Sequence, residues 1–104
     1  MGLLGFLFGY NDKKIKNYLK RDAILLDVRT EKEFKANSLP DSKNIPLPEL
    51  HNHVDQLKQM NKPFIVYCES GVRSAKAVKF LNLNNIDAVN GGGHKKIASL
   101  TKEV

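Results

Sequence analysis

The 104-residue chain has a single cysteine, no tryptophan and only three arginines among its seventeen basic residues. One cysteine rules out an intramolecular disulfide, and with it CxxC, zinc-finger and iron–sulfur ligand sets. Any sulfur chemistry must run through Cys68. Long apolar runs are missing too: the longest, Leu3 to Phe8, is broken by Gly5 and falls far short of the ~20 residues of a membrane span. Integral membrane insertion is therefore not expected. No run of five cations occurs, so the formal charge of +6 reads as a solvated lysine-rich surface that attracts anions, with no nucleic-acid partner expected. Where lysine meets nearly all cationic needs, each arginine is expected where a planar, bidentate donor is required, which singles out Arg29 and Arg73.

Length and composition fit one globular domain over residues 1–104, with its core at about 14–100. The apolar start, Met1 to Tyr10, lacks the positive n-region and small-residue cleavage site of a secretory signal, and is expected to cover the domain's own core. With Asn11 or Asp12 as cap, Ile15, Tyr18 and Leu19 fall at helical spacing, predicting a helix over 12–20. Ala23 to Val28 reads as a buried strand. Thr30 with Glu33 three residues on has capping-box spacing and opens a short helix to Lys35. After the turn Leu39-Pro40-Asp41-Ser42 comes a short strand at 43–45, and then a helix from Pro48 to Met60 carrying Leu50, Val54 and Leu57. Phe64 to Tyr67 is a second apolar strand. A helix from Ser74, its expected cap, to Leu83 follows; a weak strand at 87–89, a Gly91-Gly92-Gly93 turn and a helix at 94–100 close the chain. Strands alternating with helices, and apolar on both faces, argue for an α/β domain with a parallel sheet covered on both sides.

The chemistry converges on Cys68-Glu69-Ser70-Gly71-Val72-Arg73-Ser74. In such folds ligands bind beyond the carboxyl ends of the strands, where a loop leads into the next helix. A tight loop there can turn its backbone amides inward, with Gly71 permitting a positive φ, and the following helix adds its positive N-terminus. A thiolate in that cradle is expected to have a pKa below the ~8.5 of a free cysteine. The amides from Glu69 to Arg73 would stabilise its charge, and Arg73 would orient an oxyanion-bearing donor. The bland alternatives are an inert buried cysteine and an Arg73 that merely pairs with Glu69.

Those residues resemble the active-site loop of rhodanese-like domains, the sulfurtransferases. Leu26-Asp27-Val28-Arg29 with Glu33-Phe34 is similar to the family's first signature, Asn37 to Pro46 to its second, and Asn90 to Gly93 to its terminal glycine turn. The resemblance implies a rhodanese-like fold with a parallel five-stranded sheet. It also implies that Cys68 takes up a sulfane sulfur as a persulfide and hands it to a thiol, cyanide or a protein acceptor. Related phosphatases of this architecture use Cys-x5-Arg, whereas four residues separate Cys68 from Arg73 here, a ring suited to one sulfur atom. Two positions depart from the family: Asn37-Ser38-Leu39-Pro40-Asp41-Ser42 lacks the common histidine, and Ile97 stands where tryptophan is common. Glu69 sets a negative charge beside the anion site and weighs against a strong preference for thiosulfate.

The expected function is a cytoplasmic sulfurtransferase fed by a small anionic donor or a polysulfide, needing no metal or organic cofactor. The alternative is a persulfide carrier or redox-sensing module that works with a partner protein. Asp27 and Arg29 are read as supports of the pocket, a buried Asp and an Arg paired with Glu33 or Glu31. His51 and His53, two apart on a helix, diverge and make a poor metal site. His94 is read as a helix-start surface residue, with a proton relay as the sharper alternative.

Overall fold

The structure, a computed structural model, describes residues 12–102. Helix α1 (Asp12–Lys20) leads to strand β1 (Ile24–Asp27) and helix α2 (Glu31–Ala36). Strand β2 (Lys43–Asn44), a 3-10 helix (Leu47–His53) and α3 (Val54–Gln59) follow, then β3 (Phe64–Cys68), α4 (Val72–Leu83), β4 (Ala88–Gly93) and α5 (His94–Thr101). The segment Met1–Tyr10, expected to cover the core, lies outside the described residues, as does Asn11. No helix among the described residues is long and apolar enough to cross a membrane.

The strands run parallel in the order β2-β1-β3-β4. The five-stranded sheet implied by resemblance is thus a four-stranded one among the described residues, because only four of their segments are extended, each at a place where the sequence predicts a strand. Strand β3 is central and buried at all five positions, as a strand covered on both faces must be. Its side chains alternate between two cores. Phe64, Val66 and Cys68 pack with Leu50, Leu57, Ala77 and Leu81 from the 3-10 helix, α3 and α4. Ile65 and Tyr67 pack with Ile15, Tyr18, Ile97 and Leu100 from α1 and α5. That alternation delivers Cys68 to the α4 face at the carboxyl end of the sheet.

Three local expectations change. The stretch from Pro48 to Met60 is not one helix. It winds as 3-10 helix to His53, whose φ of −118° and ψ of 10° leave the helical region, and resumes as α3. Leu50 and Leu57, seven apart and both buried, keep one apolar stripe across that break, which is why the spacing reads as continuous. Helix α4 begins at Val72 and not at Ser74; Ser74 sits in its first turn, fully buried. The glycines 91–93 are not a turn. They belong to β4, where Val66 pairs with Asn90 and Tyr67 with Gly92, so that Gly91 is the extra residue of a bulge.

Candidate functional site

The site grows from the junction of β3 and α4. Gly71 is the N-cap of α4, with φ of 99° and ψ of −7°, a left-handed conformation that glycine takes without a Cβ penalty. It has no side chain with which to cap the helix. The missing acceptor is supplied by Cys68: its Sγ receives the Gly71 amide at 2.9 Å and the Ser74 amide, on the third helical residue, at 3.4 Å. Sulfur therefore stands where a capping oxygen would. Burial of Cys68 pushes its thiol pKa up, but the Ser74 hydroxyl and the amides of Ser74, Gly71 and Ser70 outweigh it, and the net direction is down from the ordinary value. Ultraviolet thiolate absorbance followed against pH is expected to show a midpoint below the ~8.5 of a free cysteine. A midpoint at or above that value would mean that the amides do not reach the sulfur in solution.

Ser74 links the sulfur to a residue that the spacing arguments passed over. Its Oγ lies 3.4 Å from Sγ and donates to Asn90 Oδ1 at 2.7 Å. One hydroxyl proton cannot serve both neighbours. In the thiol form S–H donates to Ser74, which donates to Asn90; in the thiolate form the hydroxyl can turn to the sulfur. Asn90 is itself held, accepting the Gly92 amide at 2.8 Å and donating to the Gly71 carbonyl at 3.1 Å. The carboxyl end of β4 comes just as close. A Cβ on Gly93 would stand 2.7 Å from the Glu69 carbonyl oxygen, so this position requires glycine for the loop to settle on the strand.

Arg73 takes the partner expected of Arg29. Arg73 does not pair with Glu69; it makes a bidentate pair with Glu33 of α2, at 2.7 and 3.1 Å. Glu33 also completes the predicted capping box with Thr30. The Arg73 hydrogen bonds, with help from the Thr30 amide, hold the Glu33 carboxyl down at about 2. Because that lies below the ~4.3 of a free glutamate, the clamp contributes fully above about pH 5 and is lost as pH falls towards 2.

Arg29, in turn, pairs with neither Glu33 nor Glu31. It is buried, and its partner is Asp27, whose carboxylate accepts the Arg29 amide at 2.8 Å, Nε at 3.1 and 3.0 Å and Nη2 at 2.8 Å. The guanidinium continues to the Asn37 carbonyl at 2.6 Å and to Glu69 Oε1 at 3.4 Å. It thereby ties the end of β1 to the 37–42 turn and to the rim of the cysteine loop. Glu69 remains 59% exposed. Tyr67, buried beside Cys68 in the chain, fastens the same turn by donating to Ser42 Oγ at 3.1 Å and accepting the Leu39 amide at 3.3 Å.

Of the histidines, His51 is exposed and His53 bonds Gln56. His94 opens α5 as expected but is half-buried, with its ring 5.9 Å from that of Tyr67 and its Nε2 without a partner among the described residues. No cluster of three or more His, Cys, Asp or Glu suited to a metal gathers among the described residues.

Residues 11–102 match the family model of the Rhodanese-like domain. The uncharacterized protein YqhL of Bacillus subtilis is 35% identical over 78 residues, which make up 73% of this chain and 61% of that protein. The thiosulfate sulfurtransferase GlpE of Pseudomonas syringae is 30% identical over 78 residues, 70% of this chain and 71% of that protein. Among solved structures, a rhodanese-related protein from Thermoplasma volcanium superposes with a TM-score of 0.69 at 33% identity, covering 88% of each chain.

Proposed function

The chain belongs to the rhodanese-like domain family, and from that membership and the geometry around Cys68 we propose that it is a sulfurtransferase working through a Cys68 persulfide. Thiosulfate or a polysulfide is the donor. The Cys68 thiolate attacks the sulfane sulfur; a new S–S bond forms, the donor's S–S bond breaks, and sulfite or the shortened polysulfide leaves with the electron pair. A thiolate or cyanide acceptor then attacks the outer sulfur, and Cys68 departs as thiolate. The amides and hydroxyl that favour the thiolate before the first step favour it again as leaving group in the second.

The observation that carries this reading is the sulfur's position as N-terminal cap of α4, since a residue that served only packing would not need two amides aimed at it and a hydroxyl at 3.4 Å. Intact-mass measurement after incubation with thiosulfate or a polysulfide tests it. One adduct of about 32 Da, a single sulfur atom, is the expected result; an unchanged mass with both donors would refute it.

A second reading keeps the persulfide but assigns turnover to a partner protein. Arg73, expected to orient a small anionic donor, is committed to Glu33, and Glu69 brings negative charge to the rim. A chain that gains the sulfur but passes it to cyanide only slowly would be such a carrier.

A further inference from the structure

The two arginines near the cysteine loop are both engaged by carboxylates. Arg73 is close enough to Cys68 for the sulfur's charge to add to the rise in its pKa, a rise caused first by its hydrogen bonds to Glu33. Yet Nη1 and Nη2, the fork that would receive two sulfonate oxygens, bind Glu33 Oε1 and Oε2 at 2.7 and 3.1 Å. Both side chains of this pair are about one-third exposed, so it stands where an incoming donor arrives. Arg29 is held by Asp27 and by the Asn37 carbonyl, and its Nη1 reaches Asn37 Oδ1 at 3.3 Å and Glu69 Oε1 at 3.4 Å. The third arginine, Arg21, bonds Asp87 just before β4, at the end of the sheet away from Cys68.

These ion pairs near the loop set three carboxylates, Asp27, Glu33 and Glu69, against two guanidiniums, an excess of one negative charge before Cys68 ionises. The amides of Gly71 and Ser74 do not offset it for a donor, because they are aimed at Sγ. Thiosulfate is a dianion that a thiolate must attack, and cations are needed to bring the two together. A persulfide on a cationic or uncharged thiol meets a much smaller barrier of this kind.

We infer that Glu33, acting through Arg73, and Glu69 set the donor specificity of this site, turning it from sulfonate dianions towards thiol-bound persulfides whose neighbouring groups are cationic or uncharged. This rests on the proposed sulfurtransferase reading and names its donor class. In the loading step the Cys68 thiolate attacks the outer sulfur of the donor's S-SH group. A new S–S bond forms at Cys68, the donor's S–S bond breaks, and the donor's thiolate leaves with the electron pair while the proton stays on the transferred sulfur.

The test is single-turnover persulfide formation, followed by intact mass, with thiosulfate and with the persulfide of cysteamine, which carries an ammonium group. In Glu33→Gln and in Glu69→Gln the thiosulfate rate is expected to rise roughly fivefold and the cysteamine persulfide rate to fall, both shifts shrinking in high salt. The persulfide of mercaptopropionate, alike in chemistry and opposite in charge, is expected to move with thiosulfate. A merely structural effect would lower all three rates together. Gln can still serve as the capping-box partner of Thr30, so α2 keeps its start. Glu69 is 59% exposed, so its variant reads the charge even if Glu33→Gln loosens the fold. A ratio of thiosulfate to cysteamine persulfide rates that neither variant moves would overturn the inference and leave the sulfurtransferase reading in place. No adduct from any of the three donors would refute that reading, and the inference with it.

Discussion

A Cys68→Ser chain is expected to fold normally and to lose sulfur transfer by at least about a thousandfold, as loss of a covalent nucleophile does. The serine oxygen can still accept the Gly71 and Ser74 amides, so α4 keeps its cap and the loop its shape. What disappears is the polarisable thiolate, and Cys68 is the chain's only thiol, so no second sulfur can take over. Steady-state kinetics with thiosulfate and cyanide, run beside a thermal melt, read both halves of the expectation. Substantial turnover by a folded Cys68→Ser chain would move the chemistry away from this loop.

Asp27→Ala is expected to have the largest effect on stability. The carboxylate is wholly buried and is the main partner of Arg29, a residue that is itself only 1% exposed. Removing one member of such a pair leaves an uncompensated buried charge and costs about 3–5 kcal/mol. In a domain of this size that lowers the melting temperature by more than about 10 °C. Asp27→Asn keeps the shape and one carbonyl acceptor and is expected to cost less. Urea unfolding of the two variants reads the difference. A loss from Asp27→Ala below about 1 kcal/mol, the size of an exposed ion pair, would show that Asn37 and Glu69 suffice to hold Arg29.

Much of this architecture is legible without coordinates because its signals are local. An apolar run bounded by turns marks β3, and the chemistry follows from the polar, glycine-containing stretch that succeeds it. Thr30 and Glu33 announce a capping box that the structure contains. What escapes such reading is tertiary. Arg73 and Glu33 are forty positions apart, and Arg29 looked the nearer partner for Glu33 until the turn after β1 folded its guanidinium back onto Asp27. Asn90 escapes for the same reason: its partners Ser74 and Gly71 reach it only once β4 lies beside β3. The glycines 91–93 read as a turn because glycine clusters usually are turns, whereas here they serve a bulge and a close approach between backbones.

That close approach separates two kinds of information in the molecule. The sulfur's environment is built mainly from peptide groups of the loop, and the Gly93 backbone lies against the Glu69 carbonyl with no space for a methyl group. Reactivity is thus written in the main chain. The side chains of Glu69 and Val72, both more than half exposed, take no part in the hydrogen bonds to sulfur and form the rim that an incoming molecule meets. A lineage can therefore rewrite the rim to suit a new donor or docking protein while the thiol's acidity stays fixed, provided that the strand behind it keeps its glycine.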